Sequence, residues 1–343
     1  MKEGYGTARA ASSGGLGFWI TNLAGLVALA AGIMYSAASG SLGIPLAVVR
    51  DAVLHYDRTD QLHLVVMNLR LPRALAGAVI GTSFAVAGAV MQGITRNPLA
   101  DSGLMGLNAG AGFALSVSFA FFPGMAYSQI LLFSFLGAAF GAALVHGIAS
   151  LHPGGATPLR LVLAGAAVTA LLTALSQGIA IYFNKAQNLM FWLSGGTAGS
   201  DWSQLKLLLP LFAASLLGAL LLSRSISLLN LGGDVAQGLG LRTGIVKALA
   251  SVTVLLLAGS SVSIVGAVGF IGLVIPHAAR AVAGADYRRI IPTSAILGAV
   301  LMVYADICAK TFNPPAEIPV GAIVSLIGVP FFLYLARRER GRR

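Results

Sequence analysis

The chain has 343 residues, 57% of them hydrophobic and only 10% charged, with a formal net charge of +11, and its mean hydropathy is +0.86. So few charged residues cannot clothe a water-exposed surface of this size, which excludes an ordinary soluble domain. A nucleic-acid partner is not expected despite the basic balance, since basic residues in a membrane protein gather in cytoplasmic loops, and the lone Cys308 excludes an intrachain disulfide or a cysteine-cluster metal site.

Crossing a hydrocarbon core of about 30 Å takes roughly 20 mostly apolar residues. Residues 1–15, rich in Gly, Ser and Ala, read as a short cytoplasmic tail. The apolar stretch 16–38 is too long for the core of a signal peptide, and no clear small-x-small cleavage site with a soluble domain follows, so it predicts a first span. A polar stretch over 49–68 comes next. Apolar runs then predict spans near 72–93, 103–122, 127–150, 158–183, 203–223, 245–261, 267–281, 290–311 and 318–336. The expectation is an all-α polytopic membrane protein of about ten transmembrane helices, with the membrane domain over 16–336 and a basic cytoplasmic tail over 337–343. Between 243 and 283, Gly259, Gly266, Gly269 and Gly272 interrupt the apolar pattern, and either one or two spans can be drawn. A broken helix at such depth needs protein or a cavity around it.

With a cytoplasmic amino terminus, only Arg50, Arg58, Arg70, Arg73, Lys185, Lys206 and Lys310 fall outside, leaving fifteen of the 22 basic residues inside. The positive-inside rule therefore places both termini in the cytoplasm and the chain in the cytoplasmic membrane. Gly77, Gly81 and Gly88, and likewise Gly137 and Gly141, stand at helical spacings. Small residues so placed predict close helix packing.

The strings Arg70-Leu-Pro-Arg73, Gly88-Ala-Val-Met-Gln-Gly93, Arg96-Asn-Pro-Leu-Ala-Asp101, Gly103-Leu-Met-Gly106, Leu163-Ala-Gly165, Phe191-Trp-Leu-Ser-Gly195, Leu239-Gly240-Leu241, Gly272-Leu-Val-Ile-Pro-His277 and Glu317-Ile-Pro-Val-Gly321 run in order along nearly the whole chain. Together they resemble the FecCD family of ABC importer permeases, which handle iron-siderophores, haem and vitamin B12. The resemblance implies ten helices per subunit and a second permease, identical or paralogous, around one central path. It also implies an ABC ATPase subunit under each permease and an extracytoplasmic substrate-binding protein. Energy then comes from ATP and Mg bound by the partner ATPase, and the sequence has no G-x-x-x-x-G-K-[ST] phosphate loop of its own. No enzymatic activity and no cofactor are expected in this chain. The expected cargo is a ferric siderophore, with a hydroxamate type favoured and haem or cobalamin as alternatives. An ion-coupled secondary transporter is the alternative from another class, disfavoured because Asp306 is nearly alone as an intramembrane charge.

Residue by residue, Arg70 and Arg73 stand three apart before the second span, a spacing that sets both guanidiniums on one helical face. Such a fork suits bidentate pairing with carboxylates of a binding protein. The resemblance implies this docking role, with Lys310 as a third basic point; interfacial snorkelling is the plainer account. Asp234, Ala236, Gln237, Gly238, Leu239 and Gly240, in the loop 227–243, resemble the family's coupling helices, which fit a groove on the ATPase. Asn97 and Leu99 match positions proposed to close the path from inside, although capping by Asn97 before Pro98 and by Asp101 at the third span explains the same residues. Thr169, Thr173, Ser176, Gln177 and Ser325 are candidate pathway-lining groups, weakly polar as a passage for a bulky chelate requires. Singly, each hydroxyl is better explained by bonding back to its own helix. Asp306 is read as pairing with Lys310, four residues on. His55, His63, His146, His152 and His277 are scattered, so no metal site is expected.

Overall fold

The computed structural model describes residues 7–40, 42–151, 157–314 and 316–340. Among these the chain is helical, with no strand. The elements are α1 (Thr7–Ala38), α2 (Leu46–Leu54), α3 (Gln61–Val65), α4 (Leu71–Thr95), α5 (Leu107–Phe121), α6 (Tyr127–Ser150), α7 (Pro158–Tyr182) and α8 (Ala186–Leu193). They continue as α9 (Trp202–Asn230), α10 (Gly233–Gly238), α11 (Thr243–Val254), α12 (Ser260–Val265), α13 (Ile271–Ala283), α14 (Tyr287–Thr311) and α15 (Val320–Arg340). A π-helical turn, Val66–Arg70, joins α3 to α4, and another, Leu255–Gly259, joins α11 to α12.

Seven continuous helical stretches among the described residues are long and apolar enough to cross a membrane, and three shorter apolar helices, α5, α13 and the α15 stretch, accompany them. These segments coincide with the runs read from the sequence. The ambiguous region 243–283 becomes one full-length stretch, Thr243–Val265, followed by the short α13. Of the predicted amino-terminal tail, residues 1–6 lie outside the description, while Thr7 onward already belongs to α1. His152 and the last residues of the basic tail, 341–343, also lie outside it.

The core is organised on α4, whose residues are buried from Ile80 to Gly93 without a break. A helix buried all round must be approached closely on several sides, and its glycines permit that. A Cβ on Gly81 would strike the backbone of Gly298 in α14, and one on Gly298 would strike Gly81 in return. Gly88 meets Gly272 of α13 in the same way, and Gly137 and Gly141 of α6 close on Gly110 and Gly106 at the start of α5. Lipid supplies no hydrophobic drive between helices, so such backbone approach and its dispersion contacts hold the bundle together. Helix α1 is mostly exposed and lies on α14 as an outer layer.

The break between α12 and α13 needs unusual backbone, with Gly266 at φ 74° and the non-glycine Phe270 at φ 70°. Nearby polar groups satisfy the interrupted ladder. Gly196 N–H donates to Val265 O at 2.9 Å, and Gln92 Nε2 donates to Gly272 O at 3.1 Å. Irregular backbone at membrane depth is tolerated because protein surrounds it.

Candidate functional site

At the end of the bundle where α1 finishes and α4 begins, charged residues from four parts of the chain converge. Arg73, in the first turn of α4, donates through Nε (3.0 Å) and NH2 (2.8 Å) to Asp306 Oδ1 on α14, and through NH1 to Glu317 Oε1 at 2.8 Å. Asp306 also accepts from Thr197 Oγ1 at 2.5 Å. Lys310 stands one turn further along α14 with Nζ 3.8 Å from Asp306 Oδ2, and it donates to Ser36 O at 2.6 Å and Ser36 Oγ at 2.8 Å. Asp306 and Lys310 are buried, the Arg73 side chain is 12% exposed and that of Glu317 is 41% exposed. The expected pairing of Asp306 with Lys310 is present, and Arg73 joins it as a second, hydrogen-bonded partner. Arg73 presents two donors along one edge to the carboxylate, whereas the ammonium turns to the carbonyl end of α1.

Arg70 serves a different element. Its NH1 donates to Ala37 O at 3.0 Å and Ala38 O at 2.8 Å, and its NH2 to Leu42 O. The last carbonyls of a helix have no partner within it and carry the negative end of its dipole, so a guanidinium there is a favourable cap. The two arginines therefore do not form one open fork. The π-helical turn ending at Arg70 separates their directions, one toward α1 and one toward α14.

Beside this cluster lies a cavity of about 1070 Å³, walled by Arg73, Trp192, Thr197, Asp201, Glu317 and Val320 among others. Asp201 caps α9, accepting from Gln204 N–H at 2.8 Å and Ser203 Oγ at 2.7 Å. The bond from Ser203 leads in holding its carboxyl below the ordinary carboxylate range, burial opposes weakly, and the α9 backbone N–H groups add to the lowering.

At the other end, α10 projects between α9 and α11. Ala236 is buried against Leu229 and Val246, while Val235 and Leu239 are exposed. Gln237 Nε2 bonds Thr243 Oγ1 at 3.1 Å, and left-handed Gly240 (φ 81°) closes the turn. Asp234 falls in the first turn and Gly238 ends the helix. The result is a short helical knob with an exposed apolar face.

Asn97 and Leu99 are half-buried in the turn after α4, where Asn97 Oδ1 accepts from Leu99 N–H at 3.0 Å. Asp101 is the N-cap residue of the 3-10 turn Ser102–Met105, without a side-chain capping bond, and α5 itself begins at Leu107 after left-handed Gly106. On α7, Thr173 and Gln177 are exposed, Thr169 is half-buried, and Ser176 is buried with its hydroxyl bonded back to Leu172 O at 2.7 Å. Ser325 is half-buried on α15. Helix α7 packs on α5 and α6, whereas α15 packs on α13 and α14, so these polar positions lie on separate faces of one chain. Cys308 is exposed. No group of three or more metal-ligating side chains occurs among the described residues.

Sequence reasoning left Glu317, Thr197 and Ser36 without a role. The available signal was Asp306 itself, since an intramembrane carboxylate requires partners, and Arg73 and Glu317 were the charged residues nearest the same end.

The chain matches the FecCD transport family over residues 28–338. It is 50% identical over 321 residues to the iron(3+)-hydroxamate import system permease protein FhuB of Bacillus subtilis (strain 168), covering 94% of this chain and 84% of that protein. It is 37% identical to the ferric enterobactin transport system permease protein FepD of Escherichia coli (strain K12), covering 88% of this chain and 90% of that one. A solved inward-facing metal-chelate type ABC transporter superposes with a TM-score of 0.79 at 28% identity, covering 92% of this chain and 98% of that chain. The buried α4 hub, the broken α12–α13 segment and the projecting α10 thus belong to a membrane-spanning transport subunit, and the chain is a member of the FecCD transport family.

Proposed function

We propose that this chain is the permease subunit of an ABC importer that moves a ferric hydroxamate siderophore across the cytoplasmic membrane. The 50% identity to an iron(3+)-hydroxamate permease over 94% of the chain carries this reading. The separate polar faces of α7 and α15 support a path completed by a second permease, homologous or identical, with Thr169, Thr173, Gln177 and Ser325 turned toward it. Exposed Val235 and Leu239 on α10, with Asp234 and Gly238, supply the knob that an ATPase groove receives. In this reading the α10 end is cytoplasmic, both termini lie there, and the Arg70–Arg73 end receives the substrate-binding protein. Asn97 and Leu99 then stand where a cytoplasmic closure belongs.

The direct test is uptake of radio-iron-labelled ferric hydroxamates, ferric catecholates and haem, and of radio-cobalt-labelled cobalamin, in cells with and without this chain. Loss of ferric hydroxamate uptake alone is expected. Unchanged accumulation of all four would overturn the assignment, and loss of a different cargo would reassign the substrate. Uptake by the reconstituted complex that persists without ATP would replace an ABC importer by an ion-coupled carrier.

A further inference from the structure

In the proposed docking end all three donor nitrogens of Arg73 are already engaged, as are both terminal nitrogens of Arg70. Arg70 is engaged by Ala37 O and Ala38 O at the end of α1 and by Leu42 O beyond it. The Nε–NH2 edge of Arg73 is filled by buried Asp306, and its NH1 is taken by Glu317 at 2.8 Å. These three carboxylate and carbonyl partners are not equally replaceable. Asp306 is buried in the penultimate turn of α14 and held by Thr197 as well, while the α1 carbonyls are part of a helix end. Glu317 makes a single bond to Arg73, has the most exposed side chain of the cluster, and stands in the non-helical segment between α14 and α15.

We infer that Glu317 is a resident carboxylate for Arg73, and that a docking carboxylate of the substrate-binding protein takes its place on Arg73 NH1. The inference rests on the docking reading proposed above. The exchange replaces one carboxylate by another, so the guanidinium is never left without a counter-charge in either state, which avoids the large cost of an unpaired buried ion. Its second consequence is mechanical. Glu317 is followed by Ile318, whose N–H bonds Ala309 O at 3.0 Å, and by Pro319 at the start of α15. Release of the Glu317 side chain removes the tie to α4, and leaves the Ile318 bond to α14, in the segment that leads directly into a helix carrying the candidate pathway residue Ser325. Docking affinity is set by a competition between two carboxylates, and removal of the internal one strengthens docking.

The test uses the assembled permease–ATPase complex in nanodiscs, titrated with its substrate-binding protein loaded with a ferric hydroxamate. Glu317→Gln keeps size and hydrogen bonding but removes the competing charge. Binding is expected to tighten about fivefold, the scale of one partly exposed ion pair, and Glu317→Asp should lie nearer the wild type. Unchanged or weaker binding in Glu317→Gln overturns the exchange. A second variant, Arg73→Gln with Asp306→Asn, removes the buried pair as a unit and tests the docking reading separately. If it weakens binding while Glu317→Gln fails to strengthen it, Arg73 docks the partner but Glu317 does not compete. If it leaves binding unchanged, the docking reading itself fails, and the exchange falls with it.

Discussion

Removing the Asp306 carboxylate tests the electrostatic centre of the structure. Asp306 is 1% exposed and accepts from Arg73 along one edge and from Thr197. In Asp306→Asn the shape is kept, but the charge that balances Arg73 and Lys310 disappears. One face of the new amide also presents N–H against the Arg73 donors. Breaking a buried pair from one side costs about 3–5 kcal/mol. The lower end applies here, about 3 kcal/mol, because Glu317 still offsets part of the Arg73 charge and Arg73 retains some contact with solvent. Removing both charges, as Arg73→Gln with Asp306→Asn, should cost less than the two single changes summed. A favourable coupling of about 2 kcal/mol is expected, within the range for residues that share a network. The assay is reversible denaturant unfolding of the purified protein in mixed micelles for wild type, both single variants and the double variant. A loss below about 0.5 kcal/mol in Asp306→Asn, the scale of an ordinary surface change, would refute the reasoning. So would a coupling energy near zero.

Three further outcomes follow from other contacts. Arg70→Ala removes a cation and two hydrogen bonds from the end of α1, and a third from Leu42 O beyond it, and should destabilise the protein by about 1–2 kcal/mol, with faster hydrogen exchange near Ala37 and Ala38; unchanged exchange there would remove the capping role. Gly88→Leu places a side chain against the Gly272 backbone and should displace α13, lowering stability by at least about 2 kcal/mol and abolishing uptake; normal unfolding and uptake would contradict the close approach. Asp201→Ala should cost about 1 kcal/mol at neutral pH through loss of the α9 cap. Because the folded-state pKa of Asp201 is depressed, its contribution is present above the unfolded value of about 4 and fades as pH falls through the folded one. The difference from wild type should therefore narrow in acid, and a constant difference would assign the effect to something other than the charge.

A good part of the candidate site was legible in the residues themselves. Arg70, Arg73 and Lys310 were singled out, and all three lie at one end of the bundle. Helix α10 falls on Asp234, Ala236, Gln237 and Gly238, which were singled out in the loop 227–243 by the family resemblance. What each charged group touches was not legible, because a span repeats every 3.6 residues and neighbouring helices can turn any face toward one another. The i, i+4 rule found the Asp306–Lys310 pair within one helix, but the hydrogen-bonded partner Arg73 is 233 positions away.

The sequence by itself determined the membrane as solvent, the number and order of apolar helices, and the family. Those properties depend on composition, on run length against bilayer thickness, and on strings that stay contiguous in the chain. Only the tertiary structure decided that Arg70 caps α1, that Arg73 is held between Asp306 and Glu317, and that the polar faces of α7 and α15 are separated within one chain. These follow from how glycine pairs such as Gly81 with Gly298 set helix separation and rotation, which is a property of two surfaces in contact rather than of either segment alone.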